Sequence, residues 1–417
     1  MNDDAIPRSV IVVFALVTVV LFAASDAIGA RLRSVGLLLR FERALRAAPA
    51  APAAAPATLE ETLGRSRDAA FDSVTRGLES LALNEVDEAT FELRLERGLT
   101  RARVYEPRGR ASPPALVLGH GVHRLGIDEP RLVGLARSFA AAGVRVLTPQ
   151  LAGLADYHID GADADTLGQS AVAFAAWSGR SQIGLLGVSF AGGLGLLAAL
   201  DERYQNTFAF VATFGAYYDL SQTLRFLTTN EARGPTGRDP KLTAHDYGAI
   251  VLAYDHAEEF FAPADREAAR DAMRLRLHER HEESKLAAKN PALSPEGAST
   301  LQRLFEGWDD PLRQRFLASI ETNRARLDAL SPRERLRGLR PKAFLLHSAD
   351  DSVIPPTETE WLARAVPPEK LGAVLLSGAL AHANLKGGDS SERLALVEFM
   401  AALLDAAAHE PLARPQP

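Results

Sequence analysis

The stretch Leu185-Leu186-Gly187-Val188-Ser189-Phe190-Ala191-Gly192-Gly193 decides how this chain is read. A short apolar run, Ile183 to Gly187, leads into one serine, and small residues open an apolar helical stretch, Gly192 to Leu200, behind it. A strand that turns sharply into a helix at a serine lifts the Oγ clear of the sheet edge, as a nucleophile requires. Side chains two before and two after the serine would crowd that turn, so both must be small, and Gly187 and Ala191 meet the need. Alanine stands where the usual G-x-S-x-G pattern has its second glycine, a mild departure. The N–H groups at the helix start, directly after Ser189, are free to receive an anion.

On either side the chain alternates short apolar runs with helical stretches. Phe91 to Leu95 and Arg101 to Tyr105 read as two strands joined by a turn at Gly98. Ala115 to Leu118, Val144 to Thr148 and Phe208 to Phe214 read as further strands, with helical spacing in Arg131 to Ala142 and Thr166 to Trp177. Strands this short and this apolar fit a parallel sheet covered on both faces. From Leu220 to Gly338 no strand is found; helical spacing recurs in Arg266 to Lys285 and Pro311 to Leu330. Alternation then resumes with a strand at Ala343 to His347, a helix at Thr357 to Val366, a strand at Ala373 to Leu376 and a helix at Glu392 to Ala406. The pattern is α/β, with residues 220–338 a helical insertion.

Three more segments carry chemistry. Leu118-Gly119-His120-Gly121-Val122 ends the third strand. Acyl transfer needs N–H donors aimed at the developing oxyanion. The N–H groups of Val122 and Phe190 are the candidates; Gly121 lets the backbone come close, and His120 reads as a brace for the loop rather than a base. Leu345-Leu346-His347-Ser348-Ala349-Asp350-Asp351-Ser352-Val353-Ile354-Pro355 ends a strand in two carboxylates. A triad needs an acid that accepts the histidine Nδ1–H and fixes its tautomer. Asp350 and Asp351 compete for that role, and Asp351 is preferred. Ser377-Gly378-Ala379-Leu380-Ala381-His382 follows the last strand and offers His382 as general base. The order Ser, Asp, His, each after a strand, is harder to reach by chance than any single match.

Together these segments resemble the α/β-hydrolase superfamily over roughly Ala89 to Ala408. The HG-V loop resembles its oxyanion segment, GVSFAG its nucleophile elbow and ALAH its histidine loop. HSADDSVIP resembles the acid loop often written HGxxDxxVP, with Ser348 where glycine is common. The resemblance implies a mostly parallel eight-stranded sheet with helices on both faces, a helical cap after the sixth strand, and Asp351 as the acid. It implies hydrolysis, usually of carboxylic esters, although the superfamily also holds thioesterases, peptidases, acyltransferases and inactive relatives. Ser189 would attack the acyl carbonyl, His382 would take and return the proton, and Asp351 would hold His382. This chemistry asks for no metal and no cofactor. An intact set of three argues against a non-catalytic binding protein.

The N-terminus reads differently. Val10 to Ala24 carries no charge, and with Ser25 to Ile28 it makes about 19 residues, roughly 28 Å of helix against a bilayer core of about 30 Å. Asp3 and Asp4 stand before it, whereas a signal peptide opens with positive charge. Residues 1–30 are therefore read as a transmembrane anchor, with export after cleavage as the alternative. Arg31, Arg33, Arg40, Arg43 and Arg46 follow, and positive flanks favour a cytoplasmic domain. Residues 31–58, basic and then Ala/Pro-rich (AAPAAPAAAPAT from Ala47), read as an extended linker on which the rest can swing. Leu59 to Leu83 reads as an amphipathic helix through Leu59, Leu63, Phe71, Val74, Leu78 and Leu81. The core then spans 59–219 and 339–408, with a tail at 409–417. On this reading removal of Met1 to Thr58 leaves an active domain, and a nearby bilayer points to an apolar substrate.

Composition narrows the field. With 47% hydrophobic and 24% charged residues in 417, a large core is available. A net charge of -6 gives no sign of a nucleic-acid partner, whose phosphate backbone needs a basic stripe. No cysteine occurs, which excludes disulfides, thiolate metal sites and a cysteine nucleophile. His278 and His281 are three apart, where a metalloprotease helix places its ligands four apart, so they read as a solvated face.

Overall fold

A computed structural model describes residues 26–47, 84–237, 240–307, 309–378, 380–381, 384–385 and 390–411. Helix α1 (Asp26–Ala47) comes first. Then follow β1 (Val86–Leu95), β2 (Gly98–Pro107), β3 (Ala115–Gly119), α2 (Pro130–Ala141), β4 (Arg145–Pro149), α3 (Gly161–Trp177), β5 (Ile183–Val188), α4 (Phe190–Leu200) and β6 (Phe208–Phe214). The insertion contributes α5 (Leu220–Thr229), α6 (Tyr247–Asp255), α7 (Arg266–Leu277), α8 (Pro295–Glu306) and α9 (Asp310–Thr322), with shorter helical turns between them. The chain closes with β7 (Lys342–Ser348), α10 (Thr357–Ala365), β8 (Leu371–Ser377) and α11 (Ser390–Ala408).

The eight strands form one sheet in the order β1-β2-β4-β3-β5-β6-β7-β8. β1 pairs antiparallel with β2 and β2 antiparallel with β4, while the other pairs are parallel. The central strands are apolar throughout because both faces are covered. In β3, Leu116 and Leu118 pack with Leu37, Phe139 and Phe399 on one face, and Val117 packs with Leu167, Leu185 and Leu194 on the other. Local signals start the helices. Glu129 accepts the N–H of Leu132 (2.8 Å) ahead of Pro130 at the start of α2, and Asp160 accepts that of Ala162 (2.7 Å) ahead of α3. Parallel strands linked by helices bring the ends of β3, β5, β6 and β7 to one edge of the sheet, where the candidate residues gather.

Three boundaries need correction. Residues 26–30, expected to be the end of the membrane anchor, and residues 31–47, expected to be linker, together form α1, which is docked across α2 and α11. Ala30, Ser34, Leu37, Leu38 and Phe41 are buried at helical spacing, and Arg31 grips Glu398 of α11 through two bonds (2.6 and 3.0 Å). Arg31, Arg33, Arg40 and Arg43 are not buried, and the apolar stripe between them is what the fold uses. The core also runs past 408: Glu410 is buried, its carboxylate accepts the Ala115 N–H (2.8 Å), and Arg180 donates to its carbonyl (2.9 Å). Within the insertion, the long helical stretches are each two helices. Glu279 turns left-handed (φ 62°) after α7, and Asn323 ends α9 by donating to the Ser319 carbonyl (2.9 Å). His278 and His281 stand on either side of the first break, so they share no helix face.

The apolar run Val10–Ala24, the tract 48–58 and the expected helix Leu59–Leu83 lie outside the described residues. Among the described residues no helix is long and apolar enough to cross a membrane. The docking of α1 reverses one expectation. A protein lacking Met1–Thr58 would lose the cover over its α2–α11 face and should be unstable rather than active. Leu37→Ala alone, at a fully buried position, should cost about 2–5 kcal/mol. Thermal unfolding of that variant, beside a protein lacking only Met1–Ser25 that should keep the parent Tm, measures the effect.

Candidate active site

Ser189 forms the turn between β5 and α4 with φ 55° and ψ -130°. A side chain holds such a backbone only where its surroundings force it, at about 1–3 kcal/mol. Two hydrogen bonds fix it: the Ser189 N–H donates to the Phe214 carbonyl at the end of β6 (2.7 Å), and the Gly192 N–H donates to the Ser189 carbonyl (2.8 Å). The turn is tight enough that a Cβ on Gly187 would overlap the carbonyl of Ala191. Alanine at 191 is accommodated because it faces Gly119: a Cβ there would come within 3.2 Å of the Ala191 Cβ. Phe190 begins α4, so its N–H is among those left unpaired by the helix.

The loop after β3 lies against the serine. A Cβ on Gly121 would stand 3.2 Å from the Ser189 Cβ. His120 holds this loop in place. Its ring is buried; Nε2 accepts the Leu151 N–H (2.9 Å), so Nδ1 carries the proton and donates to the Gly121 carbonyl (2.8 Å). Burial pushes the His120 pKa down to about 4, keeping the ring neutral in ordinary buffers. With the Gly121 carbonyl turned to His120, the N–H of Val122 points to the opposite side of the same trans peptide. The next residue, His123, accepts the Leu125 N–H on Nδ1 (3.3 Å), and burial lowers its pKa.

The two carboxylates after β7 separate cleanly. Asp351 accepts the N–H groups of Val353 (2.8 Å) and Ile354 (3.0 Å) on Oδ1. Its Oδ2 sits 3.4 Å from where a Cβ on Gly215 would be. Gly215 is left-handed (φ 74°) and directly follows Phe214, the residue that receives the Ser189 N–H. Asp350 is exposed and accepts the Ser348 hydroxyl (2.5 Å). His382 lies outside the described residues. On either side of it, Leu380–Ala381 pairs antiparallel with Asn384–Leu385.

Several supporting groups escaped the sequence reading. His347 is fully buried; it takes the Thr359 hydroxyl on Nδ1 (2.7 Å) and donates from Nε2 to the Ile354 carbonyl (2.8 Å), with Asp351 Oδ2 3.6 Å away. A polar residue inside an apolar strand was the available signal. Tyr157 gave none. It is buried with φ 62°, and its phenol donates to the Leu277 carbonyl of α7 (3.0 Å), tying the core to the insertion. The insertion also reaches the acid loop, where the His245 N–H donates to the Ser352 carbonyl (2.8 Å). Glu358, buried in α10, accepts the N–H groups of Tyr218 and Asp219 (both 2.8 Å) where the insertion leaves β6, and burial beside Asp219 pushes its pKa up to about 8. Among the described residues one group could gather around a metal, His256 with Glu258 and Glu259, and His256 Nδ1 already lies 3.3 Å from Glu259.

No family model matches the chain, and no curated protein does. Solved structures similar to it include the rice cell wall degrading esterase LipA from Xanthomonas oryzae, with TM-score 0.46 and 15% identity over 77% of this chain and 89% of that one. The 2-hydroxy-6-oxo-6-phenylhexa-2,4-dienoate hydrolase of Rhodococcus sp. strain RHA1 gives 0.40 and 17%, over 70% of this chain and 91% of that one. The 2,6-dihydroxy-pseudo-oxynicotine hydrolase gives 0.43 and 16%, over 97% and 88%. Likenesses this distant carry no weight for activity. The strand order, the left-handed serine after the fifth strand and the helical insertion after the sixth settle the architecture from the chain's own geometry, and it is the α/β-hydrolase fold.

Proposed function

We propose that this chain is a serine hydrolase of the α/β-hydrolase superfamily that cleaves a carboxylic ester through an acyl-enzyme on Ser189. The observation that carries the reading is the Ser189 backbone, a non-glycine residue held left-handed at the β5–α4 turn against the Gly121 loop. In this scheme the Ser189 Oγ attacks the acyl carbonyl while His382 Nε2 takes the hydroxyl proton. The Val122 and Phe190 N–H groups receive the oxyanion, and His382 returns the proton to the departing alcohol. Water, deprotonated by His382, then attacks the acyl-enzyme and restores the serine. Asp351 holds the His382 tautomer throughout. The uncharged run Val10–Ala24 anchors the chain in a bilayer, the domain lying on the cytoplasmic side.

A fluorophosphonate probe tests the chemistry: one adduct on the peptide containing Ser189 is expected, and none means no activated serine. Parallel assays with an ester, a thioester and an aminoacyl amide carrying the same acyl group should show the ester turned over fastest. The pH profile adds a second check. A neutral base is required, so kcat/KM should rise with pH through roughly 6.5, the ordinary histidine value. His120 cannot produce that rise, because burial holds it near about 4. A flat profile from pH 5 to 8 would exclude a histidine base.

A further inference from the structure

We infer that the anchored domain presents the N-terminal edge of its sheet to the bilayer, so the active site opens on the far side and takes an acyl substrate from water. This rests on the membrane anchor proposed above. The direction of α1 decides it. α2 follows β3 and precedes β4, so it begins at the catalytic edge of the sheet and ends at the opposite edge. α1 runs against it. Ala44, near the end of α1, meets Gly134 in the first half of α2, close enough that a Cβ at 134 would stand 2.6 Å from the Ala44 Cβ. Arg33, near the start of α1, acts electrostatically on Arg110, which donates to the Gly143 carbonyl beyond the end of α2 (3.0 Å). α11 runs from the catalytic edge down to Glu410 at the foot of β3, and Arg31 meets it midway, at Glu398.

Asp26 therefore stands at the edge remote from Ser189, and one residue, Ser25, separates it from the uncharged run. The 22 residues of α1 cover roughly 33 Å at 1.5 Å per residue. Because α1 is docked from Ala30 to Ala44, it acts as a strut rather than a tether. The Ala/Pro tract comes after it and cannot let the domain swing toward the membrane. Surface charge points the same way. Arg337, Arg340 and Lys342 are exposed at the foot of β7, on the edge where α1 enters, and suit an anionic leaflet. The oxyanion loop, the acid loop and the insertion occupy the other end. An ester embedded in the same bilayer would have to leave it and travel about the length of α1 to meet Ser189. The geometry therefore favours a water-soluble ester over a membrane lipid, in place of the apolar substrate that the anchor alone brings to mind.

The absence of cysteine makes the test clean. Full-length protein carrying Arg340→Cys, at the N-terminal edge, or Leu286→Cys, 71% exposed in the insertion, is labelled with one donor dye. It is then reconstituted into phosphatidylcholine–phosphatidylglycerol vesicles bearing a headgroup acceptor. Energy transfer several-fold greater from position 340 than from 286 is expected, with kcat/KM for a short-chain ester unchanged by reconstitution. Equal transfer, or greater transfer from 286, in protein that floats with the vesicles overturns the orientation and leaves the anchor standing. Full-length protein that does not float overturns the anchor and the orientation with it.

Discussion

Replacing Ser189 with alanine should lower kcat for any ester substrate by about 10⁴–10⁶, the range seen when a triad nucleophile is lost. The fold should survive. The bonds that hold the turn, from the Ser189 N–H to Phe214 and from the Gly192 N–H to the Ser189 carbonyl, are backbone bonds and remain. Alanine also keeps the Cβ that lies over Gly121. Intact-mass measurement after fluorophosphonate treatment reads the result directly: the parent gains one adduct and the variant none, at unchanged Tm. Labelling of the variant at the parental level would place the nucleophile elsewhere.

Asp351→Asn should cost about 10⁴ in kcat, because an amide cannot fix the histidine tautomer as a carboxylate does. Asp350→Asn should change kcat far less. The two residues are adjacent in sequence but face different surroundings. Asp351 is held by two backbone N–H groups and stands over Gly215 beside the serine strand, whereas Asp350 is exposed and bound to Ser348. Matched kinetics on the two variants decide between them, and the reverse ranking would move the acid to Asp350. His347 adds a consequence. It braces the carbonyl of Ile354, the residue whose N–H also holds Asp351, so disturbing His347 should reach catalysis through the acid loop.

The main elements were legible in the sequence because their signals are local. β6 was expected at Phe208–Phe214 and forms there. β3, β5 and β7 each differ from expectation by two residues or fewer, since a strand buried on both faces must be apolar from end to end. The serine turn was equally plain, because steric crowding within five residues dictates the small neighbours at 187 and 191. The insertion was legible as a lack of strands but not in its breaks. A left-handed residue such as Glu279 costs little enough that no sequence rule forbids continuing the helix.

Sequence by itself determined the alternation, the order of the candidate residues and the place of the serine, since these follow from periodicity and side-chain size along a few residues. Tertiary structure alone decided the rest. It showed Gly119 making room for Ala191, His120 bracing its loop through Leu151 and Gly121, and His347, Tyr157 and Glu358 fastening loops from distant elements. It also turned residues expected to form a basic linker into a docked strut. The arginines of α1 are just as compatible with a solvated tether as with a helix. What separates the two is whether Leu37, Leu38 and Phe41 find a surface to bury against, and α2 and α11, which supply that surface, begin about a hundred and about 350 residues further along the chain.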